Sequence, residues 1–255
     1  MWQKRNVIFG SALLALWMAI GVLPLAVGFE PMQGSSGKKM NEQTNDPFLH
    51  QRRQMVERQL AARDIRDKKV LEAMAKVPRH EFVPPQNRDE SYVDGPLPIG
   101  LGQTISQPYI VALMTQLARV DSTSIVLEIG TGSGYQAAVL AEIVAHVYTI
   151  EIVDPLCHRA DSALDRLGYK NITVECGDGY RGWPEHAPFD AVLVTAAPDH
   201  IPQPLIDQLK VNGRLIIPIG DRSQELLELV KTDSGVVTRS SIPVRFVPMT
   251  GEAEK

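Results

Sequence analysis

The sequence predicts an α/β fold: a doubly wound, mostly parallel sheet, preceded by helices and closed by an antiparallel C-terminal hairpin. Three observations predict it. From 124 to 218, short apolar runs alternate with amphipathic helical stretches, the pattern of a parallel sheet covered on both faces. Residues 126–129, V-L-E-I, run into glycines at 130, 132 and 134 and then into the helical stretch Y-Q-A-A-V-L-A-E-I. Near the end, L-L-E-L-V and V-V-T flank T-D-S-G, which reads as a hairpin. Together these describe a Rossmann-like architecture.

Each element has its own signal. Residues 51–63 and 67–76 carry helical apolar spacing (Met55, Val56, Leu60, then Val70, Leu71, Met74), and Pro78 closes the second. Residues 80–108 are rich in Pro and Gly; their apolar members argue for a packed, functional loop. Pro108 suits a first helical position, and Ile110, Val111, Leu113, Met114 and Leu117 give that helix its buried face. Strand 124–129 leads to helix 134–144, and strand 146–151 to helix 155–167, which Gly168 stops. Strand 172–176 precedes a G-D-G turn at 177–179. Strand 190–195 leads through A-A-P to helix 202–210, and Asn212-Gly213 turns the chain into strand 214–218. There is no internal repeat.

The chain has 255 residues, 44% hydrophobic and 22% charged, enough for one sizeable domain with extensions. A net charge of −4, with basic residues scattered beyond pairs such as Arg52-Arg53 and Lys68-Lys69, excludes an electrostatic footprint for nucleic acid. Cys157 and Cys176 are too few for a disulfide framework and lack metal-ligand spacing, so both are read as reduced structural thiols and no metal is expected. Lys4 and Arg5 precede an uncharged apolar run at 7–29 in which Ala26 and Gly28 suit cleavage. Residues 1–29 are therefore expected to be a signal peptide or N-terminal membrane anchor, with the remainder periplasmic or membrane-anchored. The alternative is a misplaced start, with a cytoplasmic protein opening at Met55. Residues 30–50 read as a polar linker and 51–251 as the catalytic domain, expected to act as a monomer.

Ligands of open α/β sheets bind outside the carboxyl ends of the strands, where strand order switches. Three acids fall at such ends: Glu128, Glu151 and Asp178. A carboxylate just before the glycines would repel a phosphate but tolerate a cation. Glu151 suits the two hydroxyls of a ribose, and Asp178 an adenine amino group. A nucleoside with a cationic tail matches the set, and S-adenosyl-L-methionine is that molecule. The expected cofactor-binding residues are Glu128, Gly130, Thr131, Gly132, Gly134, Glu151, Asp178 and Gly179. A dinucleotide-binding dehydrogenase would need its third glycine one step later, where Tyr135 stands.

The acceptor is less legible. After the fourth strand the chain reads T-A-A-P, unlike the motif of nucleobase amino methylation, and neither cysteine sits in a nucleophile motif. A carboxylate acceptor would need no base, because it is ionised near neutral pH; it needs alignment and desolvation. Ser106, in G-Q-T-I-S-Q-P, could hold it, although by spacing alone it reads as a helix N-cap.

Five stretches resemble the protein-L-isoaspartate O-methyltransferase family: L-P-I-G-L-G-Q-T-I-S-Q-P-Y (97–109), V-L-E-I-G-T-G-S-G-Y-Q-A-A-V-L-A (126–141), G-D-G-Y-R-G-W (177–183), F-D-A-V-L-V-T-A-A-P (189–198) and V-R-F-V-P-M (244–249). The resemblance runs from about Met55 to Gly251. It implies methyl transfer from S-adenosylmethionine to the α-carboxyl of L-isoaspartyl residues in damaged proteins, which begins their repair. It implies that Ser106 is the active-site serine, that Glu128, Glu151 and Asp178 are the cofactor acids, and that Thr104, Phe246 and Val247 lie in the peptide-binding walls. The alternatives are a methyltransferase of this fold acting on another carboxylate, a dehydrogenase, and a non-catalytic envelope protein that keeps the fold as a binding module.

Overall fold

A computed structural model of the chain describes residues 46–254. The expected leader and most of the expected linker lie outside them. Among the described residues, no helix is long and apolar enough to cross a membrane.

The linker boundary expected at 50 falls inside folded structure. Asp46 accepts the Phe48 N–H and pairs with Arg52, and Phe48 stacks on His80 at 4.3 Å. Helix α1 (Leu49–Gln54) therefore starts early and continues as a π-helical stretch, Met55–Ala61. Helix α2 (Lys68–Lys76) is capped by the Asp67 carboxylate, which accepts the Lys69 N–H. Its buried Val70, Ala73 and Met74 face the domain.

The Pro- and Gly-rich segment is packed rather than open. Two 3-10 turns, Arg79–Phe82 and Pro85–Glu90, precede a small antiparallel pair, β1 (Leu97–Gly100) and β2 (Gln103–Ile105). Leu97, Ile99 and Ile105 are buried. Helix α3 (Pro108–Ala118) has proline in its first turn and buries Val111, Leu113 and Met114.

The main sheet comprises β3 (Ile125–Ile129), β4 (His146–Glu151), β5 (Ile172–Cys176), β6 (Phe189–Val194), β7 (Leu209–Ile219), β8 (Gln224–Thr232) and β9 (Gly235–Val244). Its order is β5-β4-β3-β6-β7-β8-β9; β3 to β7 run parallel, and β8 and β9 add an antiparallel hairpin. Strand order switches at β3, between β4 and β6, so the glycine turn after β3 opens at the ligand-binding edge. Helices α4 (Tyr135–Ala141), α5 (Asp154–Arg166) and α6 (Gln203–Asp207) complete the crossovers. Two apolar clusters, one including Val126, Leu140 and Leu193, the other Leu127, Val192 and Leu215, are both contributed to by β3 and β6, whose successive side chains alternate between faces.

Two expectations are corrected here. Asn212-Gly213 does not start a new strand; β7 runs through it, with Asn212 at φ 67° and a register shift against β6. Expected helix 202–210 shortens accordingly, because Leu209 already pairs with Phe189. The second correction concerns the cysteines: Cys157 and Cys176 form a disulfide, with Cα atoms 5.6 Å apart. Their separation of 19 residues suggested no framework, but the α5 crossover returns the chain to β5 beside the first turns of α5.

Candidate active site

A cleft open to solvent lies at the carboxyl ends of β3, β4, β5 and β6. Its wall is assembled mainly from six segments: 103–106, the glycine turn, 150–153, 178–179, 195–196 and 247–250.

The glycine turn forms one side. Gly130, Gly132 and Gly134 all have positive φ, at 96°, 57° and 89°. At Gly130 the need for glycine is twofold: a Cβ there would also collide with the Thr195 hydroxyl, which donates to the Gly130 carbonyl at 2.6 Å. The result is a bare stretch of backbone over which a ligand can lie. Gly134 serves a different purpose from the one expected. It is absent from the cleft wall; it caps α4, and a Cβ there would press on Leu164 of α5.

Glu151 ends β4 and is 5% exposed. Its Oε2 accepts the Gly132 N–H at 2.7 Å and its Oε1 the Val153 N–H at 2.9 Å. A carboxylate has about four acceptor positions, so two remain for ligand hydroxyls. Asp178 is arranged similarly. It caps the 3-10 turn Gly179–Arg181, accepting the Tyr180 N–H through Oδ1 and the Glu252 N–H through Oδ2. Both acids are therefore fixed by backbone before any ligand arrives. Gly179 is buried between them, with no room for a Cβ against Ile129.

Glu128 does not line the cleft. It lies on β3, a strand flanked on both edges and covered on both faces, and is 0% exposed. The Thr149 hydroxyl donates to its Oε2 at 2.5 Å, and Thr149 in turn contacts Thr131 Oγ1 at 2.7 Å. Burial pushes its carboxyl up to about 8; the Thr149 bond opposes this and the nearby Glu151 adds to it. Its place before the glycines suggested an anion exposed to the ligand. In the fold it lies beneath the turn and reaches Thr131 through a hydroxyl chain.

Gln103, Thr104 and Ser106 add a polar stretch to the wall of the same cleft. Ser106 is not the N-cap of α3. Gln107 holds that position without a side-chain cap bond, and the half-buried Ser106 hydroxyl has no hydrogen bond to any described residue. Val247 lines the cleft, held by the bond from the Ala197 N–H to its carbonyl. Phe246 does not line it: its backbone bonds both ways to Gln224, and its ring packs on the core.

Several cleft residues escaped the sequence reading, among them Ser133, Gln136, Thr195 and Met249. Gln136 had a readable signal, as an amide in the first turn of the helix after the glycines. It is 7% exposed, and its Nε2 donates to Thr115 Oγ1, whose own proton goes to the Val111 carbonyl. That chain fixes the amide orientation and leaves Oε1 without a partner among the described residues. Tyr135, the residue that breaks the dinucleotide fingerprint, is 1% exposed. It packs against Phe82 and lies under the Arg79 guanidinium, tying α4 to the N-terminal segment.

The family model for protein-L-isoaspartate(D-aspartate) O-methyltransferase matches residues 50–254. A protein-L-isoaspartate O-methyltransferase of Synechococcus sp. (strain JA-2-3B'a(2-13)) is 59% identical over 213 residues, covering 80% of this chain and 87% of its own. One from Gloeobacter violaceus is 59% identical over 200 residues, covering 78% and 98%. Among solved structures, a protein-L-isoaspartate O-methyltransferase superposes with a TM-score of 0.73 at 31% identity, covering 79% of this chain and 67% of that one. A Plasmodium falciparum structure described as the same enzyme, in complex with S-adenosyl-L-homocysteine, gives 0.67 at 27% identity, covering 78% and 98%.

Proposed function

The chain belongs to the protein-L-isoaspartate O-methyltransferase family and is an S-adenosylmethionine-dependent methyltransferase of L-isoaspartyl residues in protein repair; on that premise we propose how its own residues hold cofactor and acceptor, and where it works. The cleft suits the cofactor on its own terms: bare backbone at the glycine turn, two pre-fixed acids with acceptor capacity to spare, and an apolar floor of Ile129 and Ile150. When bound, S-adenosylmethionine supplies an electrophilic methyl on a sulfonium.

Glu151 accepts the ribose hydroxyls and Asp178 the adenine amino group. Gly130, Thr131, Gly132 and Gly179 admit the ligand by close backbone approach. Glu128 supports the turn through Thr149 and Thr131 rather than by direct contact. Ser106 donates a hydrogen bond to the α-carboxylate of the isoaspartyl residue and orients it. Thr104 and Val247 flank the peptide. No residue is needed as a general base, because the acceptor is already an anion at neutral pH. The domain acts as a monomer on damaged proteins and peptides. Its net charge of −4 gives it no attraction to nucleic acid.

The observation that carries this reading is the unengaged Ser106 hydroxyl in the wall of the same cleft that Glu151 and Asp178 line. Ser106→Ala should lower kcat by roughly ten- to a hundredfold, the scale of one lost oriented contact, while the Kd for S-adenosylhomocysteine stays within about twofold. Equal loss of cofactor affinity would assign Ser106 to the cofactor instead.

The apolar segment at 7–29 directs the domain out of the cytoplasm, as a cleaved signal or an anchor with membrane contact. The Cys157–Cys176 disulfide supports this, since such bonds persist in oxidising compartments. Amino-terminal sequencing of the mature protein, with fractionation, tests it; an intact cytoplasmic chain would refute export.

A further inference from the structure

We propose that Cys157–Cys176 is a thiol–disulfide exchange site whose redox state sets the affinity of the cleft for S-adenosylmethionine. The proposal rests on the cleft taking that cofactor.

Placement makes the connection. Cys176 is the last residue of β5 and is the register partner of Glu151, the last residue of β4. The Gly177 N–H donates to the Glu151 carbonyl at 2.9 Å, and Asp178 follows. On the other side, Cys157 lies six positions after Glu151, just past Val153, whose N–H holds Glu151 Oε1. The covalent bond therefore spans the two segments that bear the cofactor acids. β5 is an edge strand, and Asp178 sits between Gly177 and Gly179. With the bond closed, the start of this stretch is also anchored covalently to α5. With it open, the stretch depends on strand-end hydrogen bonds, and fewer molecules hold both acids in place together.

The two sulfurs are unequally accessible. Cys157 is 1% exposed, whereas Cys176 is exposed. An incoming thiolate therefore reaches Cys176. Ligand-bearing atoms of Asp154 and His158 lie within 4.8 Å of the Cys176 sulfur and of one another, with His158 Nε2 at 3.5 Å from Asp154 Oδ1. An imidazole thus stands beside the Cys176 sulfur, which leaves as a thiolate in the second step of the exchange. The reductant is an external dithiol. Its first thiolate bonds to Cys176, and the bond to Cys157 breaks, leaving its electron pair on Cys157. Its second thiolate then displaces Cys176. The dithiol ends as a disulfide, and its two protons end on Cys157 and Cys176.

Calorimetry with S-adenosylhomocysteine on oxidised and reduced full-length protein, with free thiols counted, tests the proposal. Reduction should weaken binding about tenfold by lowering the competent fraction, reoxidation should restore it, and kcat at saturating cofactor should change less than about twofold. By linkage, saturating S-adenosylhomocysteine should shift the dithiothreitol equilibrium of the bond by the same factor. A Cys157→Ala/Cys176→Ala variant should bind like the reduced protein. Equal affinity in both redox states, or an equilibrium indifferent to ligand, overturns the proposal. Loss of fold on reduction, seen by circular dichroism, also overturns it, because the bond would then hold the domain rather than the loops. No binding in either state refutes the cleft reading itself.

Discussion

Glu128 carries a carboxyl that burial pushes up to about 8, against an ordinary value of 4.5. The unfolded chain ionises this group near 4.5, while the fold resists ionisation until about 8. Its contribution to stability is therefore fully present below about 4.5 and lost progressively as pH rises to about 8. The loss amounts to a few kcal/mol, since each tenfold difference in proton affinity between folded and unfolded chain is worth about 1.4 kcal/mol. Glu128→Gln should flatten this part of the stability–pH profile in urea unfolding; an unchanged slope would show that another group carries it. Gly130→Ala is a second residue-scale test. Its positive φ and the Thr195 hydroxyl leave no room for a Cβ, so S-adenosylhomocysteine affinity should fall by roughly tenfold or more. Wild-type affinity in that variant would refute the close-approach reading. At this scale the sequence was informative about Glu151, Asp178 and Ser106, because strand ends and a distinctive motif located them. Glu128 was legible as a support of the turn but not as a buried group, since one strand in isolation does not say whether neighbours will cover it. Gln136 and Thr195 were missed because their roles come from contacts across the fold.

Among elements, the β1–β2 pair is the one whose order most needs explaining. A Pro- and Gly-rich stretch holds shape here because Ile99 and Ile105 are buried and Arg159 on α5 donates to the Ile99 carbonyl. It thereby places Gln103, Thr104 and Ser106 in the cleft that the acids also line. Ile99→Ala should destabilise the domain by about 2–5 kcal/mol and raise KM for peptide more than it lowers cofactor affinity. A stability change under about 0.5 kcal/mol would mean the pair is not packed as described. Periodicity located most helices and strands of the core to within a few residues. It failed at Asn212-Gly213, where turn chemistry sits inside a long strand, and at α6, which β7 shortens.

For the whole molecule, a parallel sheet that switches order at β3 brings six segments to one edge, and the C-terminal segment joins it through the Ala197–Pro248 bridge. The disulfide is the feature of this scale that the sequence concealed: 19 residues of separation become 5.6 Å between Cα atoms only after the crossover forms. On the proposed reading, this edge presents an activated methyl to a carboxylate held by Ser106. Labelled methyl transfer from S-adenosylmethionine, measured in competition between an isoaspartyl peptide and its aspartyl counterpart, tests it most directly. Label is expected on the isoaspartyl peptide as a base-labile ester, with almost none on the other. Equal labelling of both, or of neither, would contradict it.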